Sequence, residues 1–156
     1  MSAEIIEKVR KAAESQGIGT VVVASRGGKT ALKVSEALGK GVKVVSISEF
    51  SYSDDAKKKM KKRKMVPVEE ADLVIQDSKE VTEALLKIGT GVKAALEVAV
   101  IAKNREVVEG EFIAIAGGKS GLDTALVLDT NQIEFESMFE PVNPDVIKEF
   151  ITSALL

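Results

Sequence analysis

Two short glycine-rich stretches carry most of the chemistry this sequence offers. They are Ser25-Arg26-Gly27-Gly28-Lys29-Thr30 and Gly117-Gly118-Lys119-Ser120-Gly121-Leu122-Asp123-Thr124. Each combines glycines, which let the backbone turn sharply and approach a ligand, with hydroxyls and a lysine. The first lies between an apolar run and a helical period, so a helix N-terminus there would offer free N–H groups to an anion. Lys29 adds a positive charge, and Ser25 and Thr30 add donors. An ordinary strand-to-helix turn would account for the glycines alone. In the second stretch, Asp123 suits either a sugar or ribityl hydroxyl, or N–H groups of its own turn. A hairpin turn needs only two or three special residues, and this stretch holds more. All of its residues except Leu122, and all six of the first stretch, are candidate ligand-binding residues. Neither stretch is a nucleotide P-loop, because Val23 and Ile113 occupy the positions where that motif needs its first glycine.

Composition narrows the chemistry further. The chain has no cysteine and no histidine, which removes disulfides, thiolate catalysis, serine–histidine triads and most transition-metal sites. Proton transfer would fall to Lys29, Lys119, Asp123 or Glu97, or to a cofactor. Lys93 lies one turn before Glu97, the one acid in an otherwise apolar helical run, so a structural ion pair is the simpler reading of Glu97. Gly89-Thr90-Gly91-Val92-Lys93-Ala94 formally fits the dinucleotide pattern G-x-G-x-x-A, but it follows a helical period where that fingerprint should follow a strand.

The elements that must position these groups read as an alternation of strands and helices. Residues 3–16 form an amphipathic helix through Ile5, Ile6, Val9, Ala12 and Ala13. Thr20–Ala24 is a strand, 29–38 a helix and Val42–Ile47 a second strand, which makes a parallel βαβ unit. A third strand is expected at Leu73-Val74-Ile75, then helices over 79–88 and 92–104. Strand four is Phe112–Ala116 and strand five Ala125–Leu128; the short connection forces strand five antiparallel. Asn143-Pro144 is a helix-start signal for a closing helix over 144–154. With strands one to three laid outward and strand four on the other side of strand one, the order is 3-2-1-4-5. Both glycine stretches then follow the carboxyl ends of neighbouring strands at a topological switch point, where open α/β sheets hold ligands. The 156 residues fit a single domain, 1–156.

At the level of motif, Val21–Ala31 resembles the strand–loop–helix that opens the C-terminal α/β domain of pyruvate kinase, where a comparable loop holds a phosphate of a sugar bisphosphate effector. Ile115–Val127 and the segment from Gly89 to Ala102 resemble free-standing archaeal-type proteins of the pyruvate kinase α/β-domain kind. The likeness covers about residues 3–130. It implies a three-layer α/β/α sandwich with a five-stranded mixed sheet of order 3-2-1-4-5. It also implies a phosphorylated ligand such as flavin mononucleotide (FMN) or a sugar phosphate. The first loop is more basic, through Arg26 and Lys29, than is usual in that family, and the lysine run 57–64 stands where its members carry a longer segment.

The expected function is therefore a phosphometabolite-binding domain, regulatory or sensory. The competing class is a flavin- or phosphometabolite-dependent enzyme using the same crevice. No pyruvate kinase activity is expected, since nothing here encodes that enzyme's barrel. The run Lys57-Lys58-Lys59-Met60-Lys61-Lys62-Arg63-Lys64 invites a nucleic-acid reading. It lacks interleaved aromatics beyond Tyr52, and the net charge of −2 gives no global pull towards a polyanion. A mobile lid or surface segment over 51–65 is the expectation instead. The acidic, amphipathic start (Ser2–Ile6) is unlike a signal peptide, and no apolar run would span a bilayer, so the expected location is the cytoplasm, with no membrane partner. Self-association is left open.

Overall fold

The structure, a computed structural model, describes residues 3–71, 90–118, 121–133 and 147–152. In chain order its elements are α1 (Ala3–Gln16), β1 (Thr20–Ala24), α2 (Lys29–Leu38), β2 (Lys43–Ile47), α3 (Asp54–Lys62) and β3 (Val66–Val68). There follow α4 (Thr90–Asn104), β4 (Glu111–Gly118), β5 (Gly121–Asp129), a 3-10 turn (Thr130–Gln132) and β6 (Ile147–Thr152). The strands form one mixed sheet in the order β3-β2-β1-β4-β5-β6. β1, β2, β3 and β4 run parallel, and β5 and β6 are antiparallel to their neighbours.

The central strands are apolar on both faces through their middles (Val21–Ala24 and Phe112–Ala116) because helices cover both sides of the sheet. Val21 and Val23 of β1, with Ile113 and Ile115 of β4, face the side covered by α1, α2 and α3. Val22, Phe112, Ala114 and Ala116 face α4, whose Ala95, Ala99 and Ala102 belong to the same apolar cluster. This period-2 alternation of faces produces the three-layer α/β/α arrangement.

Three expectations are corrected. The sheet has six strands rather than five, because residues 147–152 extend β5 instead of forming a helix. Ile151 pairs with Ala125 and is buried. The free edge of β5 and the β-favouring Ile-x-x-Phe-Ile-Thr composition outweigh the Asn-Pro helix-start signal. Strand three is Val66–Val68, paired parallel to β2 with Ile47 opposite Val68. Pro67 disguised it in the sequence, yet proline is tolerated in a strand that, among the described residues, has a partner on one side only. The strand expected at 73–75 and the helix expected over 79–88 lie outside the described residues.

The third correction concerns the lysine run, which is a helix packed on the fold. Ser53 caps α3, its Oγ accepting from the Ala56 N–H at 3.1 Å. Asp54 and Asp55 occupy the first turn and Lys59, Lys61 and Lys62 the last, as the helix dipole favours. Ala56 and Met60, four residues apart, anchor the helix beneath the charged face, and Met60 is fully buried. The C-terminus closes in a Schellman arrangement. Lys64 adopts φ 58°, its N–H reaches the Lys61 carbonyl, and the Met65 N–H reaches that of Met60. Like charges are thus spread around solvated sides of the helix, and Lys57–Glu69 and Lys59–Asp55 ion pairs relieve some of the repulsion.

Candidate functional site

β1 and β4 are parallel neighbours, β1 leading into α2 and β4 turning back into β5, and a crevice opens beyond their carboxyl ends. A cavity of about 370 Å³ occupies it. Its wall includes Ser25, Arg26 and Thr30 from the first glycine stretch, and Gly117, Gly121 and Leu122 from the second. Ile47, Ser48 and Glu49 enter from the end of β2, and Ala94, Glu97 and Val98 from α4.

The first loop is built by glycine and held by hydroxyls. Gly28 is the N-cap of α2 at φ 87°, a left-handed conformation that a residue with a Cβ resists. A Cβ there would also run into the end of Met60. Since Gly28 has no side chain, the first N–H groups of α2 receive no side-chain cap from it. Ser25 is buried, and its Oγ accepts a long 3.4 Å bond from the Ala31 N–H. Ser48 Oγ donates to the Arg26 carbonyl at 2.9 Å and accepts from the Phe50 N–H at 2.9 Å. The Arg26 guanidinium lies 5.7 Å from the centre of the Phe50 ring, a cation–π contact at the surface. Beneath the loop, Tyr52 OH donates to the Ser25 carbonyl at 3.0 Å and accepts from Ser46 Oγ at 2.6 Å. Burial raises the Tyr52 hydroxyl to a pKa of about 12, against the Ser46 bond, which lowers it; the nearby charge of Glu69 adds to the rise.

The second stretch is the end of a β-hairpin more than a loop. Gly117 and Gly118 belong to β4, Gly121 to Thr124 belong to β5, and Gly118 pairs with Gly121. A Cβ on Gly117 would strike the Gly121 carbonyl, so the two strands can close this tightly only around glycine. Ala116 pairs with Thr124 and Gly117 with Leu122, which leaves Asp123 as the extra residue of a β-bulge. The bulge turns Asp123 and Thr124 together towards the start of α4. A Cβ on Gly91 would lie 2.6 Å from Asp123 Oδ1, and Thr124 Oγ1 donates to the same oxygen at 2.8 Å. Close packing against these two residues explains Gly91, inside α4, without a dinucleotide.

Glu97 is the most buried charged side chain among the described residues, 4% exposed. Lys93 Nζ donates to its Oε1 at 2.6 Å, while Oε2 is buried with no hydrogen-bond partner among the described residues. Burial pushes the Glu97 carboxyl above its usual range; Lys93 opposes the shift and Glu49 adds to it.

The structure brings together Ser25, Arg26, Thr30, Gly117 and Gly121 at one cavity. Gly27, Gly28 and Lys29 are not on its wall: Gly28 sets the turn, and Lys29 is exposed. Asp123 and Thr124 are not on its wall either; both lie against Gly91 near the start of α4. Lys119 and Ser120 lie outside the described residues. Sequence reasoning missed Ser48 and Glu49, although they directly follow the strand beside β1; it named Glu97 as a possible proton-transfer group but preferred the structural ion pair with Lys93. Among the described residues no cluster of three or more acidic side chains could hold a metal ion, and no helix is long and apolar enough to cross a membrane. The chain matches no protein-family model and none of the curated proteins with which it was compared.

Proposed function

We propose that the chain is a small-molecule-binding domain of the pyruvate kinase C-terminal type, holding a phosphorylated ligand in the crevice between its two glycine stretches. The observation that carries this reading is the cavity of about 370 Å³ with wall residues from both stretches at the switch point. It falls within the range of about 300–1,000 Å³ usual for small-molecule sites. Arg26 supplies a planar cation suited to a phosphate, and the start of α2, with Thr30, supplies N–H and hydroxyl donors. Arg26 takes the part that sequence reasoning assigned to Lys29. The small volume favours a sugar phosphate or the phosphate-bearing end of FMN, with Ile47, Val98 and Leu122 offering apolar contact.

Native mass spectrometry of freshly purified protein tests the reading. A retained phosphorylated compound, lost in Arg26→Ala, is the expected result. Protein that retains none, and whose melting temperature no sugar phosphate or FMN raises, would overturn it.

One observation favours a second reading, an enzyme using the same crevice. Glu97, with its raised pKa, borders the cavity and could exchange a proton with a bound phosphometabolite. Turnover of a phosphorylated compound, abolished in Glu97→Gln with binding retained, would separate the enzyme from the sensor.

A further inference from the structure

The basic helix α3 concentrates charge as no other part of the chain does. Residues 57–64 hold seven of the 22 lysines and arginines and none of the 24 acids, so the remainder carries nine more acids than bases. Like charges this close repel one another in a helix, and a solvated loop would relieve them. The segment is instead capped at Ser53 and anchored in the core by Ala56 and Met60. Lys57 pairs with Glu69 and Lys59 with Asp55, and Arg63 Nε donates to Ser35 Oγ of α2 at 3.1 Å. Lys58, Lys61, Lys62 and Lys64 are exposed and make no ion pair among the described residues. Lys58 and Lys62 stand about one turn apart, with Lys61 beside them. α2 packs on the same side of the sheet and adds the exposed Lys29 and Lys33, with Glu36 as its exposed acid. The result is an ordered ridge of ammonium groups on an acidic body.

We propose that this ridge binds the phosphate backbone of a double-stranded nucleic acid irrespective of its base sequence. Lys58, Lys61, Lys62 and Lys64 make the contacts, with Lys29 and Lys33 at the flank. None of these lysines is on the cavity wall, so the binding is independent of what the crevice holds. Charge complementarity favours this partner, because a duplex presents one negative charge per about 1.7 Å of its axis. Lysine is a point charge on a flexible stem and suits phosphates, whereas base edges are read by planar forks such as arginine and asparagine. α3 carries no aromatic side chain, and Tyr52 just ahead of it is buried and bonded to Ser25 and Ser46. The ridge therefore offers no platform on which the bases of a single strand would stack. An anionic membrane fits less well. The apolar side of α3 is buried in the core, so it cannot enter the acyl boundary. A flat surface would also meet the exposed acids Asp54, Asp55 and Glu70. The acidic remainder does not cancel the ridge, since exposed charges more than about 8 Å away are largely screened at physiological salt.

Fluorescence anisotropy of the full chain with a short labelled DNA duplex of mixed sequence, over a salt series, tests it. A dissociation constant of about 10⁻⁴–10⁻⁶ M is expected near physiological salt. Log affinity should fall against log salt with a slope of about −3.5 to −5.5, as for about four to six neutralised phosphates. Lys58→Gln combined with Lys62→Gln should weaken binding and make the slope shallower by about 2, with the melting temperature unchanged. Should that pair fail to fold, Lys61→Gln alone should make the slope shallower by about 1. No binding at about 100 µM near physiological salt would overturn the proposal. So would an unchanged slope in the folded variant. Tighter binding of the single strand than of the duplex, or binding to phosphatidylserine vesicles in place of the duplex, would overturn it in favour of base stacking or a membrane.

Discussion

Tyr52 OH donates to the backbone carbonyl of Ser25 at 3.0 Å, so a residue just ahead of the basic helix holds the first glycine loop from below. The same hydroxyl accepts from Ser46 Oγ of β2, completing a buried chain. Replacing Tyr52 with Phe leaves both partners unsatisfied, and destabilisation of about 1–3 kcal/mol is expected in urea unfolding near pH 7. The pH dependence has a definite sign. The folded pKa of about 12 exceeds the ordinary value of 10, so this stabilisation is complete below pH 10 and is lost as pH rises towards 12. At about 1.4 kcal/mol per unit it amounts to roughly 2–3 kcal/mol. The difference in stability between the native chain and Tyr52→Phe should therefore shrink over that interval; a constant difference would contradict the buried hydroxyl.

Arg26 borders the cavity and Lys29 does not. Arg26→Ala should weaken binding of a phosphorylated ligand by about 1.5–3 kcal/mol, the range for hydrogen bonds to charged groups. Lys29→Ala should change it by less than about 1 kcal/mol, as for an exposed ion pair. Titration calorimetry on the two variants compares them directly, and the reverse ranking would restore the lysine as the anion's partner.

Gly117 and Gly27 should differ sharply although both lie in glycine stretches. A Cβ on Gly117 meets the backbone of Gly121 and Leu122, while one on Gly27 meets nothing within 4 Å. Gly117→Ala should cost about 1–3 kcal/mol of stability through overpacking, and Gly27→Ala should stay within about 0.5 kcal/mol. Denaturant unfolding of both variants measures the contrast.

The basic helix should behave as part of the core. Met60→Ala removes a fully buried side chain and should cost about 2–5 kcal/mol. Lys58→Ala, at an exposed position, should remain within about 0.5 kcal/mol. Amide hydrogen exchange should show protection in the middle of α3; exchange as fast as in an unfolded peptide would return residues 54–62 to the status of a lid.

Much of the frame was legible in the sequence, because local signals there agree with the tertiary environment. Apolar runs such as Thr20–Ala24 suit a strand buried on both faces, and the short connection between Phe112 and Leu128 allows only an antiparallel pairing. The switch point followed from those connections, and with it the meeting of the two glycine stretches. What tertiary structure decided were the places where a distant partner outweighs local preference. Residues 147–152 became a strand because β5 had an open edge to pair, and no local pattern records that edge. Val66-Pro67-Val68 became a strand because β2 offered a ladder that needs no N–H from the proline. The lysine run became an ordered helix because Ala56 and Met60 found the core, a burial that the charges around them concealed. The same holds for the site. Types and spacing marked Arg26 and Asp123 alike, but a one-residue bulge turned Asp123 towards α4, while the packing of α4 brought Glu97, which the spacing to Lys93 marks only as one half of an ion pair or a proton-transfer candidate, to the cavity.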